Sequence, residues 1–172
     1  MQSFRVIKPT AALVPYVRHY WVLSDDALAP VSERTLPVGC VQMVFHRGRQ
    51  LFSLTEGRLQ PSSFISGQAF GYSDVESTGM LEMIVVVFQP FAAKAFLHMP
   101  VSEFRGMNVN TEETGDPLLV DLGRRIADMP DRVACIRLIE EFLLSRLYAF
   151  PEYNLKRVLT VLMAVNIHPH NR

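Results

Sequence analysis

The spacing of apolar residues along this chain changes once, near residue 90. Upstream they come in short runs and alternations bounded by turn residues. Val17 to Leu23 brings Val, Tyr, Trp and Val together, which suits a strand. Val41 to His46 is a second strand, introduced by Leu36-Pro37-Val38-Gly39 as a turn and closed by Arg47-Gly48-Arg49. Leu51 to Thr55 and Phe64 to Ser66 are shorter candidates, separated by a polar stretch with Gly57, Pro61 and two serines. Leu81 to Phe88 is the strongest strand signal, and its continuous apolarity predicts burial on both faces. Short strands with turns at near-regular spacing predict an antiparallel barrel or sandwich.

Downstream of Pro90 the period becomes helical. Ala92 to Met99 can form a short helix, and Glu103 to Asn110 a loop or turn. Asp116-Pro117 is a helix start: the carboxylate caps free N–H groups, and Pro in the first turn loses no hydrogen bond. Leu118, Leu119, Leu122, Ile126 and Met129 follow at helical spacing. After Pro130-Asp131, Val133, Ile136, Ile139, Leu143 and Leu147 trace a stripe widened by Phe142 and Leu144. Glu140-Glu141 falls on the solvated edge of that helix. Leu155, Val158, Leu159, Leu162 and Val165 trace a last amphipathic helix, halted by Pro169. The fold class predicted is α+β, a β-barrel or sandwich followed by a small helical subdomain.

Composition narrows the function. Lys plus Arg is 17 and Asp plus Glu is 17 in 172 residues, so no basic excess points to DNA binding by this chain alone. No apolar stretch approaches the roughly 20 residues of a membrane span, and no secretory signal opens the chain, which predicts a cytoplasmic protein. Cys40 and Cys135 sit in apolar runs and are expected as buried free thiols.

Catalytic chemistry is hard to place. Barrels of this size often hold a metal through a His-x-His pair with a Glu and a further His, but His19, His46 and His98 lack that spacing. His168 and His170 have the interval, around Pro169 at the C-terminal end. There is no Gly-x-Ser-x-Gly elbow, no Cys-x-x-Cys and no phosphate-binding glycine loop. No catalytic residue, metal ligand or cofactor is assigned, and the protein is expected not to be an enzyme.

A binding pocket is the better prospect, because a barrel can enclose a small molecule where side chains do not fill it. Alternation puts Gln42, Val44 and His46 on one face of the second strand and Val41, Met43 and Phe45 on the other. With the first set inside, Gln42 and His46 supply polar handles; with it outside, the interior is plain core. Trp21 is either core or a ligand platform, and Gln68 either pocket or solvated loop end. Trp21, Gln42, Val44, His46 and Gln68 are therefore the pocket candidates. The broad stripe of the helix from Asp131 to Tyr148 can pack on the barrel, on a twin subunit, or on both. Ile136, Ile139, Leu143 and Leu147 are the dimer-interface candidates, with burial inside one subunit as the alternative.

Several segments together resemble the N-terminal domain of AraC-family transcription regulators, in the subgroup with a short, divergent cupin-like barrel. They are Pro15-Tyr16-Val17-Arg18-His19-Tyr20-Trp21; Leu36-Pro37-Val38-Gly39-Cys40, where the family has Asp in place of Val38; Ser66-Gly67-Gln68; Val86-Val87-Phe88-Gln89-Pro90-Phe91-Ala92-Ala93, with Ala92 where Gly is usual; and Pro100-Val101-Ser102-Glu103-Phe104. The resemblance implies a cupin-like barrel over 1–100, a helical dimerisation subdomain over 101–150, and over 151–172 the start of a truncated helix-turn-helix DNA-binding domain. It implies a homodimer that senses an unknown small-molecule effector and meets DNA only through the absent C-terminal part. It transfers no catalytic residue. The alternative is a small cupin-type metal-dependent enzyme, an isomerase or dioxygenase, resting on the barrel alone.

Overall fold

The computed structural model describes residues 1–149 and 163–164. The last predicted helix and the expected 151–172 unit lie outside the described residues, apart from those two positions. The strands are β1 (Ser3–Ile7), β2 (Val17–Asp25), β3 (Ser32–Thr35), β4 (Gln42–His46), β5 (Phe52–Ser53), β6 (Arg58–Leu59), β7 (Ser63–Ser66), β8 (Ser73–Glu76), β9 (Leu81–Phe88) and β10 (Asn108–Asn110). They build a six-stranded sheet in the order β1-β2-β9-β4-β7-β10 and a four-stranded sheet in the order β3-β8-β5-β6. Every pairing is antiparallel. Two helices follow, α1 (Pro117–Asp128) and α2 (Arg132–Ala149), so the fold is α+β.

The large sheet separates two apolar clusters, because strand side chains alternate between faces. Tyr20 and Val22 of β2, Met43 and Phe45 of β4, Ile65 of β7, and Ile84, Val86 and Phe88 of β9 join one cluster with α1 and α2. Val44, Phe64, Met83, Val85 and Val87 join the other, with Trp21 and Leu23 packed against it. β9 runs through the middle of the sheet and is buried on both sides, as its continuous apolarity requires.

The helices are fixed by local chemistry and by the sheet. The Asp116 carboxylate accepts from the Leu118 and Leu119 N–H groups, with Pro117 in the first turn. Asp131 does the same for Val133 and Ala134 of α2. At the other end of α1, the Arg47 guanidinium donates to the Ile126 and Met129 carbonyls and pairs with Glu82, tying the helix terminus to the sheet. Gly123 lets α1 lie close: a Cβ there would sit 2.5 Å from Ser63 Oγ.

Several sequence-based expectations change. Ile139 and Leu143 have 0% exposure and lie in the cluster under α2. They cannot meet a twin subunit, because the stripe that carries them is spent on the chain's own sheet. Ile136 and Leu147 are half-buried flanks of the same contact. Glu140 is not a solvated-edge residue: its Oε1 accepts from the Tyr20 hydroxyl at 3.0 Å and the Thr10 N–H at 2.9 Å. Ala92 to Met99 yields only a 3-10 turn, Ala93–Ala95. The stretch expected as a loop contains β10, whose pairing with β7 carries the large sheet past residue 100. β1, β3, β6 and β8 carry no strong apolar signal; β3 is exposed throughout.

Candidate functional site

Between the two sheets lies a cavity of about 630 Å³. Val44, Phe64, Met83 and Val85 of the large sheet form its apolar floor, and Val75 of β8 faces them from the small sheet. Trp21 and Leu23 extend the floor along β2. Gln42, Ser66 and Asn108, on three adjacent strands, supply polar groups at one end. Leu36, Val38, Phe70 and Tyr72 stand exposed around the mouth.

Strand register decides which groups face inward. On β3, Glu33 and Thr35 line the cavity; Arg34 pairs with Asp74 of β8, its Nε 2.8 Å from Asp74 Oδ1, and neither lines it. On β8, Ser73 and Val75 line the cavity beside that pair. A slip of one residue would exchange these sets.

The Ser66-Gly67 entry has a steric reason. A Cβ on Gly67 would fall 1.7 Å from the Phe104 carbonyl oxygen, and the Gly67 N–H donates to the Met107 carbonyl. Glycine here lets the segment after β7 pack against backbone at the cavity's edge, next to Gly106 and Asn108.

Of the sequence-predicted pocket residues, Trp21, Gln42 and Val44 line this cavity. His46 does not. It shares a strand face with Gln42 and Val44 but is buried beyond the floor. Its Nδ1 is 3.1 Å from the Pro61 carbonyl, and the Leu51 N–H donates to Nε2 over 3.4 Å. Burial pushes its imidazole down to about 4, against which the Pro61 and Ser62 backbone groups act, so it is neutral at pH 7. Gln68 faces a second cavity of about 450 Å³ on the far side of Cys40, with Gln89, Phe91, Lys94, Met99 and Arg105. Cys40 lines both cavities.

Sequence reasoning missed Met83 and Val85, Asp25 and Glu33, and Gln60. Period-two alternation along β9 was the available signal for the first pair. Glu33 sits on a four-residue polar strand with none.

Among the described residues the histidines do not converge. His98 lies against Arg146, with Nη1 2.6 Å from its Nδ1, and His46 is held beyond the cavity floor against the Pro61 carbonyl. Among the described residues no three His, Cys, Asp or Glu side chains cluster as metal ligands. Arg146 is also paired with Asp116 in the buried interior: its Nη2 donates to both carboxylate oxygens, each at 2.7 Å. Burial would raise the Asp116 carboxyl, but Arg146 and the Leu119 N–H outweigh it and hold it below the usual carboxylate range. Among the described residues no helix is long and apolar enough to cross a membrane.

The chain belongs to the DUF6597 family, a domain of unknown function, which matches residues 5–110. That span runs from β1 through β10 and so includes strands of both sheets and the cavity between them. No curated protein matches the chain. Among solved structures, it is similar to the crystal structure of CoII HppE in complex with Tris buffer, at 10% identity and a TM-score of 0.38, over 51% of this chain and 53% of that one. The chain thus spans about half the length of that structure, and overlap of that extent fixes no chemistry.

Proposed function

We propose that this chain is the effector-sensing part of a bacterial AraC-type transcription regulator, with a cupin-like β domain that binds a small molecule without turning it over. The observation that carries the reading is the 630 Å³ cavity, of a size that takes small molecules, with an apolar floor and a few convergent polar groups. The AraC assignment rests on the motif resemblance, which spans about residues 8–150. A cytoplasmic homodimer, contacting DNA through a C-terminal helix-turn-helix domain, goes with it. With Ile139 and Leu143 inside, the part of the candidate stripe left for a twin subunit is the flank carrying Ile136 and Leu147.

The sheet offers a route for the signal. Trp21 lines the cavity, and its neighbour Tyr20 on the opposite face donates to Glu140 of α2. A ligand that binds one arrangement of β2 more tightly than another would bias how α2 is held. Helix α2 leads into the segment where the DNA-reading unit is expected.

The test is a thermal-shift screen against metabolites, with Trp21 fluorescence as a second signal. Trp21 is the chain's one tryptophan and lines the cavity, so its emission reports on the site. A true ligand at a hundred times its dissociation constant adds about 2.7 kcal/mol of stability. A folded protein that answers to nothing would sink the sensing role, and a monomer at all concentrations by sedimentation would sink the dimer.

A further inference from the structure

Among the described residues, every charged side chain lining the large cavity is acidic: Asp25, Glu33 and Glu56 face it, with no Lys, Arg or His beside them. Glu56 is answered from outside the lining by Arg58, at 2.8 Å. Among the described residues Glu33 has the Gln2 amide alone, at 3.4 Å, and Asp25 accepts the Ala27 N–H at 3.0 Å and lies 4.0 Å from the Met1 amino group. An independent feature points the same way. Gln60 lines the cavity, and its Oε1 is buried without a hydrogen-bond partner, an acceptor left wanting a donor. Trp21, half-buried in the wall, adds an aromatic ring of the kind that attracts cations.

Resting on the sensing role proposed above, we infer that the cavity's ligand is an amphipathic organic cation: an apolar body on the Val44–Val85 floor and an ammonium group directed to Asp25 and Glu33. Ionised carboxylates only accept hydrogen bonds, so they favour a donor-bearing cation and repel a carboxylate or phosphate. The apolar floor excludes a fully hydrophilic cation, which would lose its hydration against Met83 and Val85 with nothing in return. The second cavity has the reverse character, with Lys94 and Arg105 in its lining and, among the described residues, no acidic one.

The inference is tested with three probes that share one body: 4-phenylbutylamine, 4-phenylbutanol and 4-phenylbutanoate. Binding is read by Trp21 fluorescence and thermal shift, in the whole chain and in Glu33→Gln and the double variant Asp25→Asn/Glu33→Gln. Glu33 is exposed on a short strand and the Asn keeps an oxygen for the Ala27 N–H, so both variants retain the fold. The expected result is an amine preference of about tenfold over the alcohol, more over the carboxylate, weakened by salt. It falls at least threefold in Glu33→Gln and further in the double variant. An amine no tighter than the alcohol overturns the inference but leaves the sensing role standing, because the cavity has still taken the phenylbutyl body. A preference unchanged in the variants overturns the assignment to Asp25 and Glu33. If none of the three binds a folded protein, the cation inference falls and the sensing role loses its support as well.

Discussion

On β9, Ile84, Val86 and Phe88 point to the helices, while Met83, Val85 and Val87 point toward the four-stranded sheet. The residue types on the two faces are nearly the same, yet their surroundings differ. On the helical side the floor is covered by Leu119, Ile126, Ile139 and Leu143, each with no exposed surface, and by Phe96 stacked on Phe88 at 5.5 Å. On the other side the same kind of floor meets a small sheet of two- to four-residue strands and encloses a cavity. One face supplies stability and the other is free to supply binding. Hydrophobicity alone does not separate them; what packs against each face does.

The largest effect expected from this contrast is at Leu143. Leu143→Asp places a charge between α2 and the sheet without a partner, and the cooperative thermal transition should be lost. The milder Leu143→Ala should cost about 2–5 kcal/mol by urea denaturation. If Leu143→Asp instead gives a folded monomer, the residue belongs to an interface and the picture of a filled helical face is wrong.

Next comes the Asp116–Arg146 pair. Asp116→Ala removes the α1 cap and leaves the Arg146 charge buried, for a loss of about 3–5 kcal/mol. Because the folded-state Asp116 carboxyl lies below its unfolded value, this contribution is present above the unfolded value and lost as pH falls through the folded one. The stability difference between wild type and Asp116→Ala should therefore shrink in acid, measured by urea midpoints from pH 7 downward.

His46 makes a smaller contribution of the same sign. Between the unfolded value near 6.5 and the folded value of about 4, the unfolded chain binds the proton and the native one does not. Stability is full above about 6.5, falls as pH drops through that window and levels off below about 4. The loss from pH 7 to 4.5 should be about 2–3 kcal/mol. NMR titration of the imidazole checks it directly: a His46 that protonates near 6.5 would mean that water reaches the ring and that it is not buried as described.

The smallest expected stability change is the sharpest test of the contrast. Ile65→Phe and Val44→Phe both enlarge a buried sheet residue, on opposite faces. Overpacking the helical side should cost about 1–3 kcal/mol. Val44→Phe should cost under about 1 kcal/mol, since its side chain can extend into the cavity, and should abolish any ligand response of Trp21. Equal costs at the two sites would mean the faces are equally filled.

How far the sequence reached follows a physical division. Elements whose cause is local were legible: β4, β7 and β9 from apolar runs and alternation, α1 and α2 from period and from the caps Asp116 and Asp131. The strands that roof the cavity were not, because β3 and β6 are polar and short and exist only through their partners β8 and β5. Gln42 and Val44 were put on one face by alternation, which left open whether that face points inward, and Trp21 was named as an aromatic on a strand; all three line the cavity. His46 was misplaced because face parity says nothing about depth, and Gln68 because a loop end can turn to either cavity.

By itself, then, the sequence determined which residues share a face, where the helices begin, and that the chain has an α+β build. Tertiary structure alone decided which sheet face is filled by α2 and which holds the cavity. It also decided that Ile139 and Leu143 pack inward and that Glu33 turns in while Arg34 pairs outside with Asp74. The reason is that periodicity fixes relative orientation within one element, while burial depends on which other element arrives to cover it.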